Sequence, residues 1–98
     1  MDCDLCLLKQ RINVYLENKF FIILDCDSCH VPMVVWKEHT MDVPEPDEQV
    51  MEAFLIETSN MFYEGKSYFI DKNQRAVLDH IHWHARLKEK YNEKINKI

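Results

Sequence analysis

The sequence predicts an α+β domain, with an antiparallel sheet of about five strands and two helices. Apolar runs rich in β-branched and aromatic residues alternate with short polar connections, which is typical of strands joined as hairpins. One longer segment between the third and fourth runs has helical periodicity instead. Strands with helices placed between them, rather than alternating with them regularly, favour the α+β class. The 98 residues suffice for one domain, 1–98, without a second core.

The first half of the chain predicts three strands. Residues 3–12, CDLCLLKQRI, form a short helix or turn. Two strands joined at Glu17-Asn18 follow, and a third comes after the polar connection CDSCHV. Their sequences are NVYLEN, KFFIILD and PMVVWK.

The second half predicts one long helix and two strands. Pro44 and Pro46 keep the helix from starting early, with Asp42 or Asp47 as its cap, so that it runs from about Asp47 to Tyr63. Its apolar face combines the positions Val50, Phe54, Met61, Met51, Leu55 and Phe62. The strands are KSYFIDK and VLDHIHWHARL, and residues 86–98 are a polar tail that forms a frayed helix or an arm.

Composition excludes several classes of protein. With a single glycine, the chain has no glycine-rich phosphate loop. A net charge of -5 without a basic stripe argues against nucleic-acid binding. The apolar runs are too short to span a membrane, and the acidic start MDCDLC is not a signal peptide. We therefore expect a cytoplasmic protein, in which CxxC pairs indicate metal or redox chemistry rather than disulfides.

Three of the five histidines stand at alternate positions in LDHIHWHARL: His80, His82 and His84. In a strand they share one face, with neighbours about 6 to 7 Å apart, while Ile81 and Trp83 point into the core. This predicts a half-buried strand that displays three imidazoles. Three interpretations are open. The imidazoles are the solvated face of an edge strand, they bind a metal ion, or they are catalytic, with the middle ring attacking phosphorus and a neighbouring ring assisting.

The segment HIHWHAR resembles the signature of the histidine triad (HIT) family, His-φ-His-φ-His-φ-φ with φ apolar, except at Arg86. Upstream, ENKFFIILDCDSCHVPMVVWKEHT is similar to the family's strand, Asp-bearing turn, strand and closing "PKRH"-like end. The resemblance covers Cys3 to Arg86. It implies a five-stranded antiparallel sheet with two helices and a homodimer formed through the long helix and the neighbouring strand.

The resemblance also implies an activity, namely attack on the α-phosphate of a nucleoside phosphate ester or anhydride. His82 corresponds to the nucleophile that forms a nucleotidyl-histidine, and His84 to the phosphate contact and proton donor. Asp25 matches the acidic ribose contact, and Ile23 the lining of the base and sugar pocket. A purine nucleotide is the implied ligand.

Some family members carry a structural zinc ion, whose ligands correspond here to Cys3, Cys6, His39 and His80. Two thiolates and two imidazoles form a closed tetrahedral set that suits zinc. A rival four-cysteine site is also open, because CDLC and CDSC have zinc-ribbon spacing. In that case the histidine triad is incidental. The set with two histidines is preferred, since Cys26 and Cys29 follow the predicted ribose contact.

The chain departs from the family in the segment before the triad, DKNQRAVLD, which lacks the family's glycines. Asn73 is the preferred phosphate-contacting or nucleophile-orienting residue there. The missing glycines favour an alternative function, a zinc-stabilised nucleotide-binding or interaction module with little or no catalysis. His30 either replaces a family histidine or is merely exposed.

Overall fold

The structure is a computed structural model, and it describes residues 12–26, 30–73 and 80–88. These contain five strands and one helix: β1 (Ile12–Glu17), β2 (Phe21–Asp25), β3 (Pro32–Trp36), α1 (Glu45–Tyr63), β4 (Tyr68–Asp71) and β5 (His82–Leu87). The α+β class and the five-stranded antiparallel sheet are confirmed. Two segments were candidates for a second helix. Of residues 3–12, only Ile12 is described, and it begins β1. The predicted tail, 86–98, is wrong at its start, because Arg86 and Leu87 complete β5; residues 89–98 lie outside the described residues.

The strands form one sheet in the order β1-β2-β3-β5-β4, and every neighbouring pair is antiparallel. β5 therefore lies inside the sheet, paired with β3 on one side and β4 on the other. Val35 pairs with His82 and Met33 with His84, while Asp71 lies opposite His84 on β4. The interpretation of the histidine segment as an edge strand is therefore wrong.

Both faces of the sheet are buried at its centre, which explains why β2 and β3 are apolar at nearly every position. Alternate residues face α1, and they pack with Met51, Leu55 and Tyr63 of that helix: Phe21, Ile23, Val34, Trp36, Ile81, Trp83 and Ala85. We call this the helix face. A second apolar cluster lies on the opposite side: Ile22, Leu24, Cys26, Met33 and Val35. Because side chains alternate along a strand, His82 and His84 share this second side, the histidine face.

The helix begins earlier than its prolines predict. Its first residue is Glu45, it is preceded by Pro44 without a side-chain cap, and Pro46 lies inside the first turn. Predicting that Pro46 delays the helix, with Asp42 or Asp47 as cap, was wrong. A first-turn proline is tolerated because its missing N–H has no partner there. Acidic side chains in the same turn stabilise the positive end of the helix dipole.

Only part of the predicted apolar face of α1 is buried. Met51 and Leu55 are buried together with Ser59 and Tyr63, at a spacing of four residues. The remaining predicted positions are exposed: Val50, Phe54, Met61 and Phe62. Ser59 and Tyr63 enter the core because their hydroxyls donate to the carbonyl oxygens of Leu55 and Ala85, at 2.6 Å each. Within the described ranges, no helix has the apolar length needed to cross a membrane.

Candidate functional site

The ring of His82 is oriented by its own strand. Its Nδ1 lies 2.9 Å from the backbone oxygen of His80. A carbonyl oxygen only accepts hydrogen bonds, so Nδ1 carries the hydrogen. In the neutral ring, the lone pair then resides on Nε2. This is the tautomer that an imidazole nucleophile needs.

His84 is the next residue of the histidine face along β5. Its ring lies edge-on to that of His82, with centroids 5.5 Å apart. The two residues are only 5% and 8% exposed, so the expectation of imidazoles displayed on a half-buried strand is wrong. A phosphate that reaches these rings leaves most of its water behind, which strengthens every electrostatic contact that it makes.

His80 precedes β5, in a bend of the chain, and its side chain is fully buried. Its ring meets that of His39 edge-on at a centroid distance of 5.1 Å. The backbone of Ile81 holds this arrangement, because its N–H donates to Thr40 and its carbonyl accepts from Trp36. The connection that carries His39 is thereby fastened beside His80.

The His80 tautomer follows from the same reasoning. Its Nε2 lies 2.5 Å from the carbonyl oxygen of Trp36, so Nε2 donates and the neutral ring has its lone pair on Nδ1. Histidines that ligate metals usually donate their second ring nitrogen to a carbonyl or carboxylate in this way. His80 and His39 thus fit half of the predicted zinc set.

The other predicted zinc ligands, Cys3 and Cys6, lie outside the described residues, as does Cys29. Among the residues that the structure describes, no three His, Cys, Asp or Glu side chains come together as a metal site. Cys26 is buried on the histidine face, within the second apolar cluster. A choice between the two predicted ligand sets therefore depends on the cysteines before β1 and after Cys26.

Ile23 and Asp25 lie on the helix face, on the side of the sheet away from His82 and His84. Ile23 packs beneath α1. The Asp25 carboxylate accepts from the Tyr15 hydroxyl at 2.7 Å and from the Asn13 amide at 2.8 Å. The structure does not bring these residues together with the histidines, and their contacts join β1 to β2. Their roles as base and sugar contacts stay predictions.

The Asp25 contacts coincide with an irregularity in β1. The register with β2 shifts between Ile12 and Leu16, and Asn13 adopts a left-handed φ of 50°. Asparagine tolerates this conformation better than most residues. Partial burial, the hydrogen bond to Asp25 and the negative charge of its carboxylate all raise the pKa of Tyr15.

Asn73 lies two residues past the end of β4 and is exposed. Its backbone N–H donates to the Asp71 carboxylate at 3.0 Å, which turns the chain there. If the pairing of β4 with β5 continued, Asn73 would lie level with His82. This position is compatible with a phosphate contact. His30, by contrast, is exposed in the connection after β2, with a φ of 59°.

The structure shows an ion pair beside His84 that the sequence analysis did not predict. Arg86 donates from Nε to the Asp71 carboxylate at 2.7 Å, and the Asp71 side chain is only 3% exposed. Alternation places Arg86 on the histidine face, two residues after His84. Alternation along β5 is the signal that could have identified Arg86. Asp71 could not be found this way, because only the strand register places it opposite His84.

A groove of about 320 Å³ lies away from the histidines, between β1 and α1. Its lining is mostly apolar: Tyr15, Leu16, Phe54, Glu57, Thr58, Met61 and Phe62. The Tyr15 and Phe62 rings meet edge-on there, at 6.4 Å between centroids. The groove has no cluster of catalytic groups, so its size does not identify it as the reactive site.

In comparisons with known proteins, no family model, curated protein or solved structure matches this chain. The functional assignment therefore depends on the chemistry of the site itself.

Proposed function

We propose that the protein is a nucleotide hydrolase or nucleotidyltransferase that acts at the α-phosphate of a purine nucleoside phosphate ester or anhydride. The observation that carries the proposal is the hydrogen bond from His82 Nδ1–H to the carbonyl of His80. It holds the lone pair of the neutral ring on Nε2, as nucleophilic attack on phosphorus requires. The resemblance of HIHWHAR to the histidine triad signature supports the same role.

In the proposed reaction, His82 Nε2 bonds to the α-phosphorus while the bond from phosphorus to the leaving group breaks. The departing electron pair goes to the leaving-group atom, and a protonated His84 supplies its proton. The carbonyl of His80 stabilises the Nδ1–H of the ring as positive charge develops. Water or another acceptor then takes the nucleotidyl group and regenerates His82. Asn73, two residues past the end of β4, is the proposed phosphate contact.

The direct test is intact-mass spectrometry at neutral pH after mixing the protein with adenosine 5′-phosphoramidate. We expect a transient gain of one adenylyl group and release of AMP, and neither in His82→Ala. His84→Ala is the matched variant on the same face. It should release AMP more slowly but still form the adenylyl adduct, because it keeps the nucleophile His82. Equal AMP release by wild type and His82→Ala would rule out His82 as the nucleophile.

We further propose a structural zinc ion held by Cys3, Cys6, His39 and His80. The adjacent rings of His39 and His80, together with the second-nitrogen bond of His80, support this set. When bound, zinc would join the N-terminal segment to the start of the catalytic strand.

Metal content measured by mass spectrometry tests the zinc proposal. We expect about one zinc per chain in wild type, loss in His39→Ala, and retention in His30→Ala, an exposed histidine outside the set. A chelator should lower the Tm of wild type and leave that of His39→Ala unchanged. Zinc lost on changing Cys26 and Cys29 to serine, but kept in His39→Ala, would instead identify the four-cysteine site.

The alternative function is a zinc-stabilised nucleotide-binding or interaction module with little or no turnover. Two observations favour it, namely the glycine-free segment before His80 and the position of Asp25 on the helix face. Isothermal titration with AMP separates the two functions. If AMP binds but the protein neither gains an adenylyl group nor releases AMP from the phosphoramidate, the result supports the module. If AMP binds and the protein is also adenylylated, the result supports the enzyme.

A further inference from the structure

The Asp71–Arg86 ion pair lies where the signature leads one to expect an apolar residue. A carboxylate as buried as that of Asp71 is costly to desolvate without a partner, and Arg86 supplies the partner. The arginine is less enclosed, because 28% of its side chain is exposed against 3% for the aspartate. Arg86 is therefore fixed by a buried carboxylate, while part of its own charged side chain remains exposed to solvent.

The position of Arg86 follows from the strand geometry. His82, His84 and Arg86 share one face of β5, and the α-carbons of His82 and Arg86 lie about 13 Å apart along an extended strand. His84 lies midway between them. In a displacement at phosphorus, the leaving group departs opposite the attacking nitrogen. A leaving group assisted by His84 thus extends along the face on which Arg86 stands.

Arginine suits an oxyanion at this position. The bond to Asp71 uses Nε–H, and a guanidinium carries further N–H donors on its two terminal nitrogens in a planar fork. Such a fork matches phosphate and related oxyanions in both shape and charge. A neutral amine offers it no acceptor of comparable strength.

We propose that Arg86, held by Asp71, binds an anionic leaving group, so that the preferred substrates are nucleotides whose α-phosphate is joined to another phosphate or to sulfate. This rests on the proposed function of His82. As the bond between the α-phosphorus and the bridging oxygen breaks, its electron pair stays on that oxygen. Arg86 then stabilises the departing phosphate or sulfate anion, and His82 retains the AMP group. A leaving amine, by comparison, gains nothing from this residue.

The experiment compares two variants that both lack the buried carboxylate. Asp71→Asn keeps the arginine, whereas the double variant Asp71→Asn/Arg86→Leu removes it without leaving a buried charge unpaired. The readout is the ratio of kcat/KM for ADP to kcat/KM for adenosine 5′-phosphoramidate. We expect removal of Arg86 to lower this ratio roughly 10- to 100-fold, the usual effect of losing a charged hydrogen bond. An unchanged ratio overturns the proposal. Replacing ADP by adenosine 5′-phosphosulfate shows whether sulfate is recognised as well as phosphate.

Binding provides a readout that does not depend on turnover. In a His82→Ala background, loss of Arg86 should weaken the binding of ADP at least tenfold more than the binding of AMP. If wild type forms no adenylyl-histidine, the proposed function fails, yet this difference still supports Arg86 as an oxyanion contact. If the binding of ADP and AMP weakens equally, or does not weaken, the proposal is wrong and Arg86 only neutralises the charge of Asp71. Should the double variant not fold, Arg86→Lys keeps the charge without the fork, and a fall in the ADP-to-AMP preference is again required.

Discussion

At the scale of single residues, backbone carbonyls fix the ring chemistry of two histidines in opposite senses. His82 donates from Nδ1 to the carbonyl of His80, and His80 donates from Nε2 to the carbonyl of Trp36. Their neutral rings therefore have lone pairs on different nitrogens. Residue spacing alone could predict that these histidines act together. It could not predict that the two rings have different tautomers, because this depends on where β5 begins.

The hydrogen bond from Tyr15 to Asp25 makes stability depend on pH in the alkaline range. The folded state raises the pKa of Tyr15 above the ordinary value of 10.0 that applies to the unfolded chain. Its stabilising contribution is thus complete below pH 10 and is lost as the pH rises through the folded-state pKa. We expect urea denaturation to show a steeper loss of stability above pH 10 for wild type than for Tyr15→Phe.

The comparison with Tyr15→Phe removes other alkaline effects. Tyr68, whose pKa is also raised by burial, is present in both proteins. At neutral pH the variant should be less stable by about 1 kcal/mol, since Asp25 loses one of its donors. Parallel stability curves above pH 10 would show that Tyr15 does not retain its proton through this bond.

At the scale of the elements, α1 is attached to the sheet by one buried row of side chains. Apolar periodicity predicted the helix and its end at Tyr63, and it identified Met51 and Leu55. It could not find Ser59 or Tyr63, which are buried because their hydroxyls reach carbonyl oxygens. Tyr63 is notable because its acceptor, Ala85, lies on β5. The helix thereby bonds directly to the strand beside His84.

Two truncations on α1 test which row is buried. Leu55→Ala removes a fully buried side chain and should lower the free energy of unfolding by about 2 to 5 kcal/mol. Val50→Ala removes an exposed one and should change it by about 0.5 kcal/mol or less. Chemical denaturation measures both values. A large loss for Val50→Ala alone would mean that the helix is rotated about its axis relative to this description.

At the scale of the whole molecule, we propose that the exposed apolar side chains of α1 and β1 form the interface of the homodimer that the family resemblance implies. Phe54, Met61 and Phe62 are exposed on the helix, and Tyr15 is exposed beside them. Apolar groups collected in this way commonly mark an interaction surface. They lie on the helix face of the sheet, so self-association there would not cover the histidine face.

Met61→Glu tests this surface, because Met61 is 76% exposed and its replacement should leave the monomer folded. We expect sedimentation velocity to show a dimer for wild type and mostly monomer for the variant, since a charge buried in an interface is costly. Gln49→Glu makes the same charge change at an exposed helix position outside the cluster and should remain dimeric. A wild-type protein that is monomeric at every concentration would contradict the homodimer.

The overall fold was more predictable than the site because periodicity reports burial, and burial decides which segments become strands or helices. The five strands were predicted from their apolar runs. The face of each side chain depends on exact register. Register separates Ile23 and Asp25 from His82 and His84, although all four were predicted to act together. The pairing of Asp71 with His84 crosses two strands, so no local pattern contains it.

The interior position of β5 also limits how the protein can change over evolution. Strands pair with it on both sides, so an insertion or deletion in it would disturb two ladders and rotate the histidines to the other face. Substitutions at His82 or His84 alter the buried interior, because both side chains are buried. Among the described strands, β4 pairs with β5 alone and so has only one ladder to preserve. Changes in β4 can therefore accumulate while β5 keeps its register.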